Sequence, residues 1–131
     1  MPVNARYEID VGALERMIEV DRAAGLQPFC VVGNAATINT GATDDLDTLA
    51  TVCAREGLWF HVDGAIGALL ALAPAHRHLV RGMERADSVT LDLHKWLHIP
   101  FEAACVLVRH RKAHRETLAL TPEYLEQTER G

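Results

Sequence analysis

Four short apolar runs, separated by stretches of helical periodicity, constrain this 131-residue chain more than any other feature. The first, Phe29-Cys30-Val31-Val32, is unbroken, as a strand buried on both faces would be. Leu58-Trp59-Phe60-His61-Val62, Ser88-Val89-Thr90-Leu91 and Ala103-Ala104-Cys105-Val106-Leu107-Val108 follow. Before the first run, Val11, Leu14, Met17 and Ile18 recur at helical spacing behind Asp10, a residue that caps helix N-termini, and the pattern closes near Gly25. Leu46, Leu49, Val52 and Cys53 do the same from about Asp44 to Gly57. Further helical stretches are expected over Ile66–Leu72 and from Pro74 to about Arg85. Strand, helix, strand, helix, strand implies a largely parallel α/β sheet with right-handed crossovers. The fourth run follows the third after a loop too short for a helical crossover, so it pairs antiparallel, with a basic helix-like tail behind it.

Composition narrows the function. Hydrophobic residues make up 49% and charged residues 24%, an ordinary globular mixture in a chain long enough for one domain or part of a larger one. A net charge of −5 gives no electrostatic case for nucleic acid or an anionic membrane. No apolar run reaches about 18 residues, and the N-terminus has no signal-peptide pattern. Cys30, Cys53 and Cys105 are odd in number and widely spaced, which fits small buried hydrophobes in a reducing compartment; the expected location is cytoplasmic.

Ligands of parallel sheets bind beyond the carboxyl ends of the strands, which here are Gly33–Thr43, Asp63–Gly67 and Asp92–Lys95. Lys95 is one of only two lysines among 13 basic residues. It follows a buried strand, and its amine suits Schiff-base chemistry that arginine cannot perform. A plain surface lysine is the alternative. Asp63 ends its strand before Gly64 and Ala65, small residues that admit close approach. A carboxylate there would hold a cationic ring nitrogen; at about 4 Å and an effective dielectric near 20 such a pair is worth roughly 4 kcal/mol. Capping the next segment is its alternative role. Together, a lysine and an aspartate after adjacent strands are what a pyridoxal phosphate site requires: the amine holds the aldehyde, and the acid keeps the ring an electron sink.

At these residues the chain resembles the group II pyridoxal-phosphate-dependent amino-acid decarboxylases. His61-Val62-Asp63-Gly64-Ala65-Ile66-Gly67 is similar to their His-Val-Asp-Ala-Ala-Tyr-Gly pattern, and Ser88 to Trp96 is similar to their Ser-…-His-Lys-Trp segment. Ala36-Thr37-Ile38-Asn39-Thr40-Gly41-Ala42-Thr43-Asp44-Asp45 resembles their Gly-Thr-Thr-Asn-Thr-Gly-…-Asp loop, and the tail Leu120–Leu125 also has a counterpart. The resemblance implies the large domain of the type I, aspartate-aminotransferase-like fold, mostly parallel with an antiparallel last strand. It implies pyridoxal 5′-phosphate as cofactor and decarboxylation of an L-amino acid to its amine and CO2. Lys95 would form the Schiff base, Asp63 would pair with the pyridine nitrogen and Ala65 would pack against the ring. Asp92 and His94 would lie beside the phosphate and the lysine, and Thr37 in a loop approaching the cofactor.

Three departures stand out. Ile38 replaces a second threonine, Ile66 an aromatic residue, and Asp92 stands where some relatives have Asn, so its charge would repel a phosphate unless offset. Residues 1–131 would form a partial large domain, lacking the N-terminal phosphate-gripping part and the C-terminal small domain, and the full-length family implies a homodimer. Transamination or aldol-type cleavage on the same scaffold, or a catalytically silent piece, are the competing readings. The histidine pairs His94/His98, His110/His114 and His76/His78 converge with no third ligand in sequence, so they read as solvated surface residues. The basic run Arg109–Arg115 lacks interleaved aromatics and reads as a solvated helix face; the apolar stretch Ala65–Ala73 reads as packing against the sheet.

Overall fold

In the computed structural model, residues 1–119 are described. Helix α1 (Val11–Ala23) starts where Asp10 accepts a hydrogen bond from the Ala13 N–H at 2.9 Å, and it turns Ala13, Leu14 and Ile18 inward. Strand β1 (Cys30–Asn34) leads to helix α2 (Leu46–Glu56), capped by Asp45 and stopped at Gly57, whose φ is 66°. Strands β2 (Trp59–Asp63) and β3 (Ser88–Asp92) follow, then the short helix α3 (Leu93–Trp96), strand β4 (Ala104–Val108) and helix α4 (Arg111–Leu118). The sheet order is β1-β2-β3-β4; the first three strands are parallel, and β4 returns antiparallel as its short connection dictates. The family-like tail Leu120–Leu125 lies outside the described residues.

The core lies between α2 and one face of the sheet. Phe60, Leu46, Leu49, Val62 and Cys53 are its largest fully buried side chains. Gly33 makes that contact possible, since a Cβ there would stand 3.0 Å from both Leu46 Cδ2 and Leu49 Cδ1. Helix α1 packs on α2, and Arg22 ties the two by bonding the Glu56 carboxylate and, at 2.7 Å, its carbonyl oxygen.

Three expectations are corrected. Instead of one helix from Pro74 to Arg85 there are two 3-10 turns, Arg77–Val80 and Met83–Arg85, and Gly67–Leu72 is also 3-10. Gly82 breaks the stretch at φ 95°, where a Cβ would stand 2.3 Å from the Asp47 nitrogen, so the backbone there presses against the start of α2. Strand β1 is not buried on both faces: Val31 and Gly33 are buried, whereas Val32 is 48% exposed because no described element covers the other face. Of the three cysteines only Cys53 is fully buried; Cys30 and Cys105 are half-buried. All three are free, and burial pushes the Cys53 thiol up to about 11.

The open face carries a polar cluster. Ser88 Oγ accepts a hydrogen bond from Trp59 Nε1 and contacts His61 Nδ1, each at 2.8 Å, and Trp59 also packs edge-on against His110. None of the described helices is long and apolar enough to cross a membrane.

Candidate functional site

The carboxyl edge of β1, β2 and β3 gathers the segments named from sequence. Register sets Asn34, the last residue of β1, beside Asp63, the last of β2, and Asp63 beside Thr90, so β3 runs two residues further along the same edge, to Asp92. Backbone bonds then stitch the following turns to their neighbours. The Ala35 N–H donates to the Asp63 carbonyl at 2.9 Å, the Gly67 N–H to the Ala35 carbonyl at 3.0 Å, and the Gly64 N–H to the Thr90 carbonyl at 3.0 Å. The absent side chain of Gly67 permits this: a Cβ would stand 2.6 Å from the Ala35 oxygen.

Asp63 is exposed at this edge. One of its oxygens accepts from the Ala65 N–H at 3.1 Å, so the local capping role is real; among the described residues the second oxygen takes no hydrogen bond. Ala65 and Ile66, both half-buried, continue the turn. Lys95 stands on α3, directly after β3 and therefore on the same edge. Its Nζ lies 2.6 Å from Asp92 Oδ2, one helical turn back. The negative charge of Asp92 is thus met by the ammonium of Lys95.

His94 is half-buried, not solvated. Its Nδ1 lies 2.9 Å from the Ala103 carbonyl oxygen and 3.1 Å from the Ala103 nitrogen, and its ring meets Phe101 edge-on at 5.0 Å between centroids. The Leu93 N–H also donates to Ala103, so the segment before β4 anchors the helix that carries Lys95. His98, at φ 54°, ends any helical continuity with His94.

Thr37 sits in a loop closed on itself. Its N–H donates to the Ala42 carbonyl at 2.8 Å, its hydroxyl lies 2.6 Å from that of Thr40, and the Ala36 N–H donates to Thr43 Oγ1 at 3.1 Å. Ile38 projects outward, 80% exposed, so its replacement of a threonine puts an apolar side chain into open space. Ala36 adopts φ 59° at a position where the resembling loop has glycine, a left-handed conformation that strains an L side chain.

One residue escaped the sequence reading in this capacity. Asp44, 5% exposed, accepts from the Ile9 N–H at 2.6 Å, the Asn34 N–H at 2.7 Å and Asn34 Nδ2 at 3.1 Å. From sequence it is a helix-start residue and a member of a loop motif; its donors come from 10 and 35 residues away and leave no local signal.

Lys95, Asp63, Asp92, His94, Ala65 and Thr37 therefore all belong to one edge of the sheet or the turns directly after it. An amine, an outward carboxylate and a hydroxyl-bearing loop form a donor set that fits a phosphorylated pyridine aldehyde.

Comparison with known proteins agrees. The family described as the pyridoxal-dependent decarboxylase conserved domain matches residues 1–131. An aromatic-L-amino-acid decarboxylase of Bacillus atrophaeus is 44% identical over 121 residues, covering 92% of this chain and 25% of that protein. A histidine decarboxylase of Homo sapiens is 34% identical over 131 residues, covering 100% of this chain and 20% of its own. A crystal structure of Oryza sativa TDC with PLP and tryptamine superimposes with a TM-score of 0.89 at 33% identity, covering 97% of this chain and 26% of that one. The chain thus spans about a quarter or less of the length of these relatives.

Proposed function

The chain belongs to the pyridoxal-dependent decarboxylase family, and from that premise we propose that it is the lysine-bearing part of a pyridoxal phosphate-dependent carboxy-lyase acting on an L-amino acid. The observation that carries this reading is the shared edge: Asp63 closes β2, Lys95 follows β3, and the two strands are parallel neighbours. The names of the relatives, aromatic-L-amino-acid, tryptophan and histidine decarboxylases, support the reaction class.

When bound, pyridoxal phosphate supplies an aldehyde that an amine can capture and a ring that accepts electrons from a breaking bond. Lys95 contributes the amine, held by Asp92 until its proton is released. Asp63 keeps a proton on the ring nitrogen, which makes the ring a strong electron sink. Ala65 offers a small surface beside the ring, Thr37 a hydroxyl from the adjoining loop, and His94 holds the Lys95 helix against the Ala103 backbone. A homodimer, on the family resemblance alone, and a cytoplasmic location, on the cysteine usage, complete the reading.

The test is to titrate the chain with pyridoxal 5′-phosphate, follow the visible absorption of the lysine-bound aldehyde, then reduce with borohydride and map the label. Label is expected on Lys95 and not on Lys112, and Lys95→Ala abolishes the band. Asp63→Asn weakens binding by about tenfold or more, since an ion pair at about 4 Å is worth a few kcal/mol. A band that persists in Lys95→Ala refutes the assignment. Release of a keto acid instead of CO2 from an added amino acid would replace decarboxylation with transamination, and failure to bind would mark the chain as silent by itself.

A further inference from the structure

Asp44 is a buried carboxylate placed one step from the proposed site. Its Oδ1 takes the Ile9 N–H, and its Oδ2 takes both the backbone N–H and the side-chain Nδ2 of Asn34. The Asp44 N–H in turn donates to the Asn34 carbonyl at 3.0 Å, so Asn34 is gripped from both sides. Asn34 is the register partner of Asp63 across β1 and β2. The next residue, Ala35, donates to the Asp63 carbonyl and accepts from Gly67. A continuous path of short hydrogen bonds therefore runs from Asp44 through Asn34 and Ala35 to both ends of the Asp63 turn.

We propose that Asp44 is a positioning residue: it locks the end of β1 beside Asp63 and so fixes where the Asp63 carboxylate stands at the carboxyl edge. Its value toward a cofactor rests on the reading above, but its effect on the edge does not. The chemistry of the donors explains the residue type. Three N–H groups converge on two oxygens, and only a carboxylate offers acceptors on both sides without bringing a donor of its own. A carboxamide keeps one side, turning its oxygen to Asn34 and its N–H2 group toward Ile9.

Amide hydrogen exchange on the full chain, without cofactor, tests this. In Asp44→Ala the N–H groups of Asn34, Ala35 and Gly67 exchange about tenfold faster or more, as loss of hydrogen bonds to a charged acceptor opens the edge locally, while Leu49 and Cys53 in α2 keep their rates. In Asp44→Asn the three edge amides return close to wild-type rates, and the Ile9 amide does not. Acceleration that is uniform, Leu49 and Cys53 included, reduces Asp44 to a contributor to global stability and overturns the proposal. Unchanged exchange at Ala35 and Gly67 overturns it too, as does failure of Asp44→Asn to restore them. Should Asp44→Ala not fold, Asp44→Asn decides alone: faster exchange at Ile9 with the edge amides kept is expected, and faster exchange at Asn34, Ala35 and Gly67 overturns the proposal. A parallel titration with pyridoxal 5′-phosphate is expected to show weaker binding in Asp44→Ala. If the wild-type chain binds none, the chain is silent by itself, and the exchange result still decides the role of Asp44.

Discussion

The two faces of the sheet are built from alternate residues of the same four strands, yet they are stabilised by different chemistry. On one face Phe60 and Val62 lie sealed under α2, with exposures of 1% and 0%. On the other, Val32 and Val106 are 48% and 58% exposed, and the ordered centre is the polar cluster of Trp59, His61 and Ser88. Burial of apolar surface dominates where a helix covers the strands; where none does, specific hydrogen bonds between neighbouring strands hold the side chains. Of the candidate site residues, Asp63 and Asp92 end β2 and β3, and the others stand in the turns and short helix beyond. All stand at the edge where both faces end, so their placement depends on strand register and on the bonds between the turns.

That contrast can be broken most sharply in the core. Phe60→Ala removes the largest side chain of the covered face and is expected to cost about 3–5 kcal/mol, whereas Val106→Ala on the open face should stay within about 0.5 kcal/mol. Urea denaturation of both variants measures the difference, and equal losses would mean that the open face is buried in solution. A smaller effect is expected from Trp59→Phe, which keeps an aromatic side chain, though a smaller one, and removes the donor to Ser88; the loss should be about 1 kcal/mol. A neutral result would show that the polar cluster contributes nothing to the open face.

The smallest effect is set by pH. The Thr48 hydroxyl and N–H hold the Asp45 carboxyl below its ordinary range, and this residue caps the helix that covers the core. The folded chain thus binds fewer protons here than the unfolded chain, so the contribution is present above about pH 4 and is lost as pH falls through the lowered value. Asp45→Asn keeps a capping oxygen and removes the titration, so the acid limb of the stability curve should flatten by no more than about 0.5 kcal/mol for this exposed group. Thermal melts from pH 2 to 7 would show it.

Much of this architecture is written locally. Asp10 and Gly57 mark helix ends by chemistry that acts within a turn, and the brief link before β4 admits only an antiparallel return. Asp63 and Lys95 share an edge, as expected, because the carboxyl ends of neighbouring parallel strands lie together by construction. What stayed hidden depends on distant partners. Gly82 breaks the expected helix because it presses on Asp47, and no neighbour in sequence announces that contact. The exposure of Val32 reflects what covers a strand, which the apolar run Phe29–Val32 does not encode. Asp44 looked like part of a loop motif because backbone N–H groups, which every residue type carries, are what it recognises.

The antiparallel return of β4 has a consequence for the order of assembly. Leu91 pairs with Cys105 across 14 residues, whereas Val31 pairs with Phe60 across 29 and Val62 with Val89 across 27. Each doubling of a closing loop costs only about 0.6 kcal/mol, but short-range pairings are met sooner in the search for the native state. Lys95 rides inside the shortest of these closures, so the hairpin that carries it is expected to form before the longer crossovers dock and seat Asp63.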